Sequence, residues 1–252
     1  MHIDRTEYLG VSFDRLTEEQ VIDRLRLVTS DTPFGYIVTP NVDHVVRLHS
    51  EETEADVRTA YAKSSLCVCD SRILAALARL RRIRLPVVTG SDLTAAILDQ
   101  VVNTGDRIAV VGGNPDIVDR LKFRYPALVF IHHSPPMGLR RDVAAQHAAA
   151  EFIAEAKCRF AFIAVGSPQQ ELIAAKVSGG TGFGLCIGAA LEFLTGDQVR
   201  APLPFRKTGT EWAYRLASNP ARMWRRYLIE GPKIFWLASR WKPSRPSGGQ
   251  SA

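Results

Sequence analysis

Short apolar runs that stop at glycine, asparagine or aspartate, then give way to an amphipathic stretch, recur along this chain. That alternation constrains the fold more than any other feature. Phe34–Thr39 stops at Pro40-Asn41, Leu66–Cys69 at Asp70, Arg107–Val111 at Gly112-Gly113-Asn114-Pro115, and Arg159–Val165 at Gly166-Ser167-Pro168. Leu128–His132 and the glycine-rich Gly182–Ile187 are further strand-like runs. Between them lie helical patterns. Thr17-Glu-Glu-Gln20 is a capping box opening a helix to about Thr29. Asn41 and Asn114 each stand where an N-cap belongs, the second with Pro115 at the first helical position. Glu52–Lys63, the stretch from Asp70 to about Leu80, Ser91–Val102, Arg141–Lys157 and Gln169–Val177 complete the helical set. Strands alternating with helices predict an α/β fold: a Rossmann-like, mostly parallel sheet with helices on both faces. With 252 residues, 46% hydrophobic and 23% charged, the chain can bury a core of that size.

The pattern changes after Gly196. Pro202, Pro204 and Gly209 read as a loop. A helix near Glu211–Ala217 follows, then a second to about Glu230, a break at Gly231-Pro232, and a third segment to about Trp241. We expect an α/β catalytic domain over 1–196, a helical C-terminal appendage over 197–241, and a disordered tail over 242–252. From Arg200 onward eleven Lys and Arg face only Glu211 and Glu230, and all four tryptophans lie here: Trp212, Trp224, Trp236 and Trp241. The whole chain carries +6, so the body is slightly acidic and the appendage strongly basic. A basic, Trp-rich segment suits an anionic partner: a phosphate ligand, a nucleic acid or an acidic membrane surface.

Several chemistries lack their signatures. The sequence has no P-loop, no complete Gly-x-Gly-x-x-Gly, no Gly-x-Ser-x-Gly and no His-Glu-x-x-His. The six histidines lack metal-ligand spacing, and the four cysteines (Cys67, Cys69, Cys158, Cys186) sit in strand-like runs as small core residues of a reducing compartment. No Asp-x-Asp occurs, so phosphate charge would fall to arginines and backbone N–H groups. No metal or organic cofactor is expected. Neither an 18–20-residue apolar span nor a secretory signal is visible, which predicts a cytoplasmic protein.

Ligands of parallel sheets bind beyond the carboxyl ends of the strands. The polar groups there are Thr39 to Asn41, Asp70, Gly112 to Asn114, Gly166 to Glu171, and Gly188 to Glu192. Asp70 at the mouth could accept a proton from an attacking hydroxyl. Equally, it could simply N-cap the next helix, and Gln169-Gln170-Glu171 could be a solvated first turn. Arg222, Arg225 and Arg226, with Arg215 two turns earlier, form one cationic stripe.

In this order, a series of motifs resembles the WecG/TagA/CpsF family of bacterial glycosyltransferases. They are Thr39-Pro-Asn41-x-Asp43-His44, the strand ending in Asp70, Thr89-Gly-Ser-Asp-Leu93, Val111-Gly-Gly113, Tyr125-Pro126, Val165 to Glu171, Arg200-Ala-Pro202, Glu211-Trp-x-Tyr-Arg-Leu216, and Asn219-Pro-x-Arg222-x-x-Arg225-Arg226-Tyr227. The likeness runs from about Tyr8 to about Tyr227. It implies an inverting, metal-independent transfer of a hexose-type sugar from a UDP-sugar to a polyprenyl-pyrophosphate-linked sugar, in exopolysaccharide or cell-envelope synthesis. It makes Asp70 the base, with Thr39 and Gln170 beside it and Thr39 and Asn41 lining the acceptor pocket. Gly112, Gly113 and Glu192 would lie near the nucleotide. Arg215, Arg222 and Arg225 or Arg226 would close over the diphosphate. Ser71 stands where the family has Gly, and Val87 where it has Arg, so Arg84 is a candidate substitute in acceptor binding.

The acceptor's lipid places the work at the inner face of the cytoplasmic membrane, with the Trp-rich helices on the anionic surface and a homo-oligomer possible. Two other readings stay open from sequence: an inactive sugar-nucleotide-binding member of the same fold, and a basic nucleic-acid-binding protein.

Overall fold

The structure, a computed structural model, describes residues 4–50, 55–199 and 201–243. An antiparallel hairpin opens the chain, β1 (Arg5–Tyr8) and β2 (Val11–Asp14). Six strands then form one parallel sheet: β3 (Gly35–Val38), β4 (Leu66–Cys67), β5 (Arg107–Gly112), β6 (Val129–His133), β7 (Phe160–Ala164) and β8 (Phe183–Cys186). Their order is β4-β3-β8-β7-β5-β6. The expected α/β class and parallel sheet are therefore present.

Alternation along the strands splits the core into two layers. Tyr36, Val38, Ala161 and Ile163 face one side, Ile37, Phe160 and Phe162 the other. The first side is covered by the hairpin residues Tyr8 and Phe13 and by α2 (Val42–Leu48), α3 (Ala55–Lys63), α4 (Arg72–Leu80), α7 (Val143–Glu155) and α8 (Gln169–Lys176). The second is covered by α1 (Glu18–Arg26), α5 (Gly90–Gln100), α6 (Pro115–Arg124) and α9 (Ala190–Thr195). Of the helix expected over Glu52–Lys63, residues 52–54 lie outside the described residues. The expected capping box is formed: Thr17 Oγ1 accepts from Gln20 N at 3.3 Å and Gln20 Oε1 from Thr17 N at 2.9 Å. All four cysteines are buried free thiols, and burial pushes each of them up from its usual pKa.

Two expectations need correction. The stretch with Pro202, Pro204 and Gly209 is not a loop but α10 (Leu203–Thr208). Pro202 precedes the helix and Pro204 sits in its first turn, where a missing N–H costs nothing, and Gly209 ends it at φ +77°. The prolines and glycine thus bound a helix instead of preventing one. The second correction concerns Asp70, which does not cap the helix that follows it: Ser71 is the N-cap of α4, its Oγ accepting from Leu74 N at 3.2 Å.

After α10 come α11 (Glu211–Ser218), α12 (Pro220–Trp224), a π-helical stretch (Arg225–Glu230) and α13 (Lys233–Arg240). The last helix is docked on the body. Ile234 is buried in the first core layer with Leu237 packed against it, Ala238 is also buried, Trp241 meets Tyr8 edge-on at 5.1 Å, and Arg81 Nη2 donates to the carbonyls of Ala238 and Ser239 at 2.8 and 2.7 Å. The tail expected to be disordered lies outside the described residues from 244 onward.

At the amino ends of the strands Arg159 holds four partners. It donates to the carbonyls of Val28 (2.8 Å), Val101 (3.0 Å) and Arg26 (3.2 Å), and to Asp106 Oδ2 at 2.7 Å. The residue is only 7% exposed, so losing it removes the donor from three carbonyls and leaves Asp106 to the Asn103 N–H. Arg159→Met is expected to cost about 3–5 kcal/mol, read as a lower urea midpoint at unchanged slope. Because Arg159 stands at the sheet edge opposite the site described next, activity per folded molecule should not change.

Candidate functional site

A cavity of about 610 Å³ opens beyond the carboxyl ends of β3 and β4, roofed by α11, the π-helical stretch and α13. Asp70 lies in its wall. The strand run Leu66–Cys67 is buried, and Asp70 N donates to Pro40 O at 3.0 Å, which fixes the carboxylate at the strand end. Asp70 Oδ2 accepts from Gly90 N at 3.1 Å, the first residue of α5. The fit is close there: a Cβ on Gly90 would press on Thr39 Oγ1 at 3.2 Å and touch Asp70 Oδ2 at an ordinary 3.8 Å. Desolvation pushes the Asp70 carboxyl up to about 7. The Gly90 N–H and Arg215 oppose the rise, and Glu211 and Asp92 add to it. A carboxylate held near neutrality at a cavity wall is suited to taking up a proton.

Thr39 and Gln170 sit behind this wall, both buried. Thr39 Oγ1 donates to Cys186 O at 3.4 Å. Gln170 Oε1 accepts from Gly188 N at 2.9 Å and its Nε2 donates to Glu171 Oε1 at 3.0 Å. The alternative of a solvated first turn is excluded, since Gln170 and Glu171 are 2% and 0% exposed. Glu171 Oε1 also accepts from Tyr61 OH at 3.2 Å, and that hydroxyl lies 3.3 Å from His44 Nδ1. Burial lowers the His44 pKa and raises that of Tyr61. Asn41 does two things at once: it caps α2, accepting from Asp43 N and His44 N at 3.0 and 3.3 Å, and it lines the cavity.

The expected arginines divide. Arg215 and Arg226 line the cavity, whereas Arg225 is exposed and outside the lining. The side chain of Arg222 lies outside the described residues. Arg84 is exposed and not part of the lining, where Val87 is found instead. Gly112 ends β5 and Gly113 follows it, with three strands between β5 and β4 in the sheet and φ of +86° and +74°. A Cβ on Gly112 would meet Val165 Cγ1 at 2.6 Å, so only glycine fits; Gly113 has open space. Glu192 lies in the first turn of α9. These three are not in the cavity, but α9 is tied to it, because the Arg215 guanidinium lies 5.0 Å over the Phe193 ring.

Sequence reasoning assigned no role to the lining residues Asp43, Arg72, Glu211 and Tyr227; Trp212, expected at an anionic surface with the other tryptophans, also lines the cavity. A signal existed for one of them, since Glu211 stands four residues before Arg215, the spacing of a helical ion pair. Among the described residues no three His, Cys, Asp or Glu side chains converge to hold a metal ion, and no helix is long and apolar enough to cross a membrane.

Comparison with known proteins agrees with this architecture. A protein of Staphylococcus aureus strain MW2 named N-acetylglucosaminyldiphosphoundecaprenol N-acetyl-beta-D-mannosaminyltransferase is 24% identical over 230 residues, covering 88% of this chain and 87% of its own. The same name belongs to a protein of S. aureus strain NCTC 8325, 24% identical with 84% of each chain covered. It also belongs to one of Bacillus spizizenii, 29% identical over 56% of this chain and 55% of its own. The model of the glycosyl transferase WecG/TagA/CpsF family matches residues 6–248, nearly the whole length. That match, over a chain folded as a parallel α/β sheet, leads to one assignment: the chain belongs to the WecG/TagA/CpsF family of glycosyltransferases.

Proposed function

We propose that this glycosyltransferase moves a hexose or N-acetylhexosamine from a UDP-sugar onto a sugar carried by a polyprenyl diphosphate, inverting the anomeric carbon. The observation that carries the reading is the pairing, across one cavity, of Asp70 with Arg215 and Arg226. Asp70 takes the proton of the acceptor hydroxyl as that oxygen attacks the anomeric carbon. The bond to the UDP oxygen breaks on the opposite side, and the two guanidinium groups meet the charge that develops on the diphosphate. One displacement inverts configuration. Thr39 and Gln170, buried behind Asp70, shape the acceptor side, together with Asn41. In this reading Gly112, Gly113 and Glu192 serve the nucleotide from outside the cavity, at the end of β5 and the start of α9. The relatives' names make an N-acetylglucosaminyl-diphospholipid acceptor and an N-acetylmannosamine donor the first pair to test.

A second set of observations supports a membrane-surface location. Leu228 and Phe235 both line the cavity and are 53% and 56% exposed, and Trp224, Ile229 and Trp236 are exposed near them in sequence, with Arg225 and Arg240. An apolar surface fringed by arginines fits an anionic lipid headgroup layer, and the cavity opens onto it. In this reading residues 197–241 form a functional unit that brings the acceptor's lipid to the catalytic body of residues 1–196.

The test is UDP release from a panel of UDP-sugars with a polyprenyl-diphosphate-linked N-acetylglucosamine in detergent, with and without EDTA. Release that depends on acceptor and persists in EDTA is expected. Acceptor-independent release, or silence across the panel while the protein remains folded, would overturn the reading.

A further inference from the structure

The cavity contains more acid than its proposed diphosphate ligand would favour. Asp43, Asp70, Asp92 and Glu211 face Arg72, Arg215 and Arg226. Of the arginines expected at the diphosphate, the two that line the cavity, Arg215 and Arg226, are already engaged by two of these acids. Arg215 Nη2 donates to Glu211 Oε1, one turn earlier on α11. Arg226 Nη2 lies 3.5 Å from Asp43 Oδ2 on α2. The second pair is built to open. It is longer than a good charged hydrogen bond, and Asp43 has a better partner in Arg47 Nη2 at 2.7 Å. Arg226 also keeps a donor in reserve: its Nε is buried and has no partner among the described residues.

We propose that Asp43 and Glu211 are place-holders, carboxylates that occupy Arg226 and Arg215 in the empty cavity and that only a ligand with two adjacent anionic groups displaces. This rests on the reading of the cavity as a diphosphate site. A single phosphate group, with a charge of about −1.5 to −2 at pH 7, gains one arginine by breaking one existing ion pair, and it then sits beside the carboxylate it has evicted. The exchange is close to neutral. A diphosphate spans both guanidinium groups, uses the spare Arg226 Nε–H, and carries enough charge to outweigh the two acids. The acids thus reject monophosphates more than diphosphates, and selectivity comes from a repulsive element as well as an attractive one. Release of Arg226 costs little because Asp43 stays neutralised by Arg47. The same chemistry could come from the nucleotide or from the lipid diphosphate, and the two sources are separable by experiment.

Titration calorimetry on the full chain would use UMP and UDP as one pair of probes, and farnesyl phosphate and farnesyl diphosphate as the other. The wild type is expected to prefer the diphosphate of at least one pair, and that pair identifies the source. Glu211→Gln and Asp43→Asn should each tighten the monophosphate of that pair about fivefold, with a smaller gain for the diphosphate, so the preference narrows. Glu230→Gln removes the other acid of the C-terminal segment, which pairs with Lys233 away from the cavity, and should change neither. Glu211 is a partly exposed i,i+4 partner, its side chain 28% exposed, whose loss costs a helix only a few tenths of a kcal/mol, so that variant tests the idea even if Asp43→Asn misfolds. Wild-type preference for diphosphates with no narrowing in Glu211→Gln would overturn the place-holder role alone. Absence of wild-type binding to all four probes would overturn the diphosphate site and the place-holders with it.

Discussion

Replacing Asp70 with asparagine is expected to lower turnover by about 10²- to 10⁴-fold, the usual range for losing a positioned general base. The fold should survive, because asparagine can still accept the Gly90 N–H at Oδ1. Stability should rise at pH 8. The folded-state pKa of Asp70 is raised, to about 7, so the folded chain holds this proton more tightly than the unfolded one between about pH 4 and pH 7. Stability therefore falls as pH climbs through that window, and above it the buried charge remains a cost that asparagine removes. A higher melting temperature with activity lost would separate chemistry from structure. The wild-type kcat/KM should climb about tenfold per pH unit below 7 and flatten above it, since the base must be ionised to act. A flat profile from pH 5 to 9, or an Asp70→Asn enzyme within threefold of wild type, would remove Asp70 from the role.

Most of the frame was legible in the sequence because it depends on local rules. Thr17 and Gln20, Asn41 and Asn114 cap the helices that their spacing announces. What escaped depends on tertiary context. The β1–β2 hairpin turns at Leu9-Gly10 with φ of +51° and +68°, and leucine carries no turn signal there; its burial against the sheet outweighs its backbone preference. Strand order joins β8 to β3 across nearly 150 residues of sequence, which no local pattern encodes. At the site, Asp70, Asn41, Arg215 and Arg226 were visible from the strand ends and the cationic stripe. Asp43 and Glu211 were present in the quoted motifs but without a role, because their meaning lies in which arginine each one touches. Arg84 was proposed on closeness in chain position, yet the chain turns so that Val87 faces the cavity. The inactive-member reading draws on Val87 and Ser71. Ser71 now has its own task as the α4 cap, so its presence beside Asp70 does not argue against activity.

Arg215→Ala is expected to have the second large effect, a fall in kcat of about 10²- to 10³-fold, comparable to removing one preorganised donor from a site of developing charge. Its guanidinium is held at the cavity by the Phe193 ring from α9, so once Glu211 is displaced it can meet a departing diphosphate. The loss should have two parts that pH can divide. Arg215 pulls the Asp70 pKa down while Glu211 and Asp92 push it up, so removing the arginine moves the rising limb of the pH profile to higher pH. Part of the deficit is then recovered by pH 9, where Asp70 ionises without help. The remainder at pH 9 measures stabilisation of the leaving group alone. Arg226→Ala, whose partner Asp43 lies on α2, should reproduce the pH-independent part without moving the limb, because Arg226 is not among the groups that shift Asp70. If both variants shifted the limb equally, or if Arg215→Ala lost nothing beyond what raised pH restores, the arginines would act on the base and not on the diphosphate. The charge of the leaving group would then have to be met by other groups.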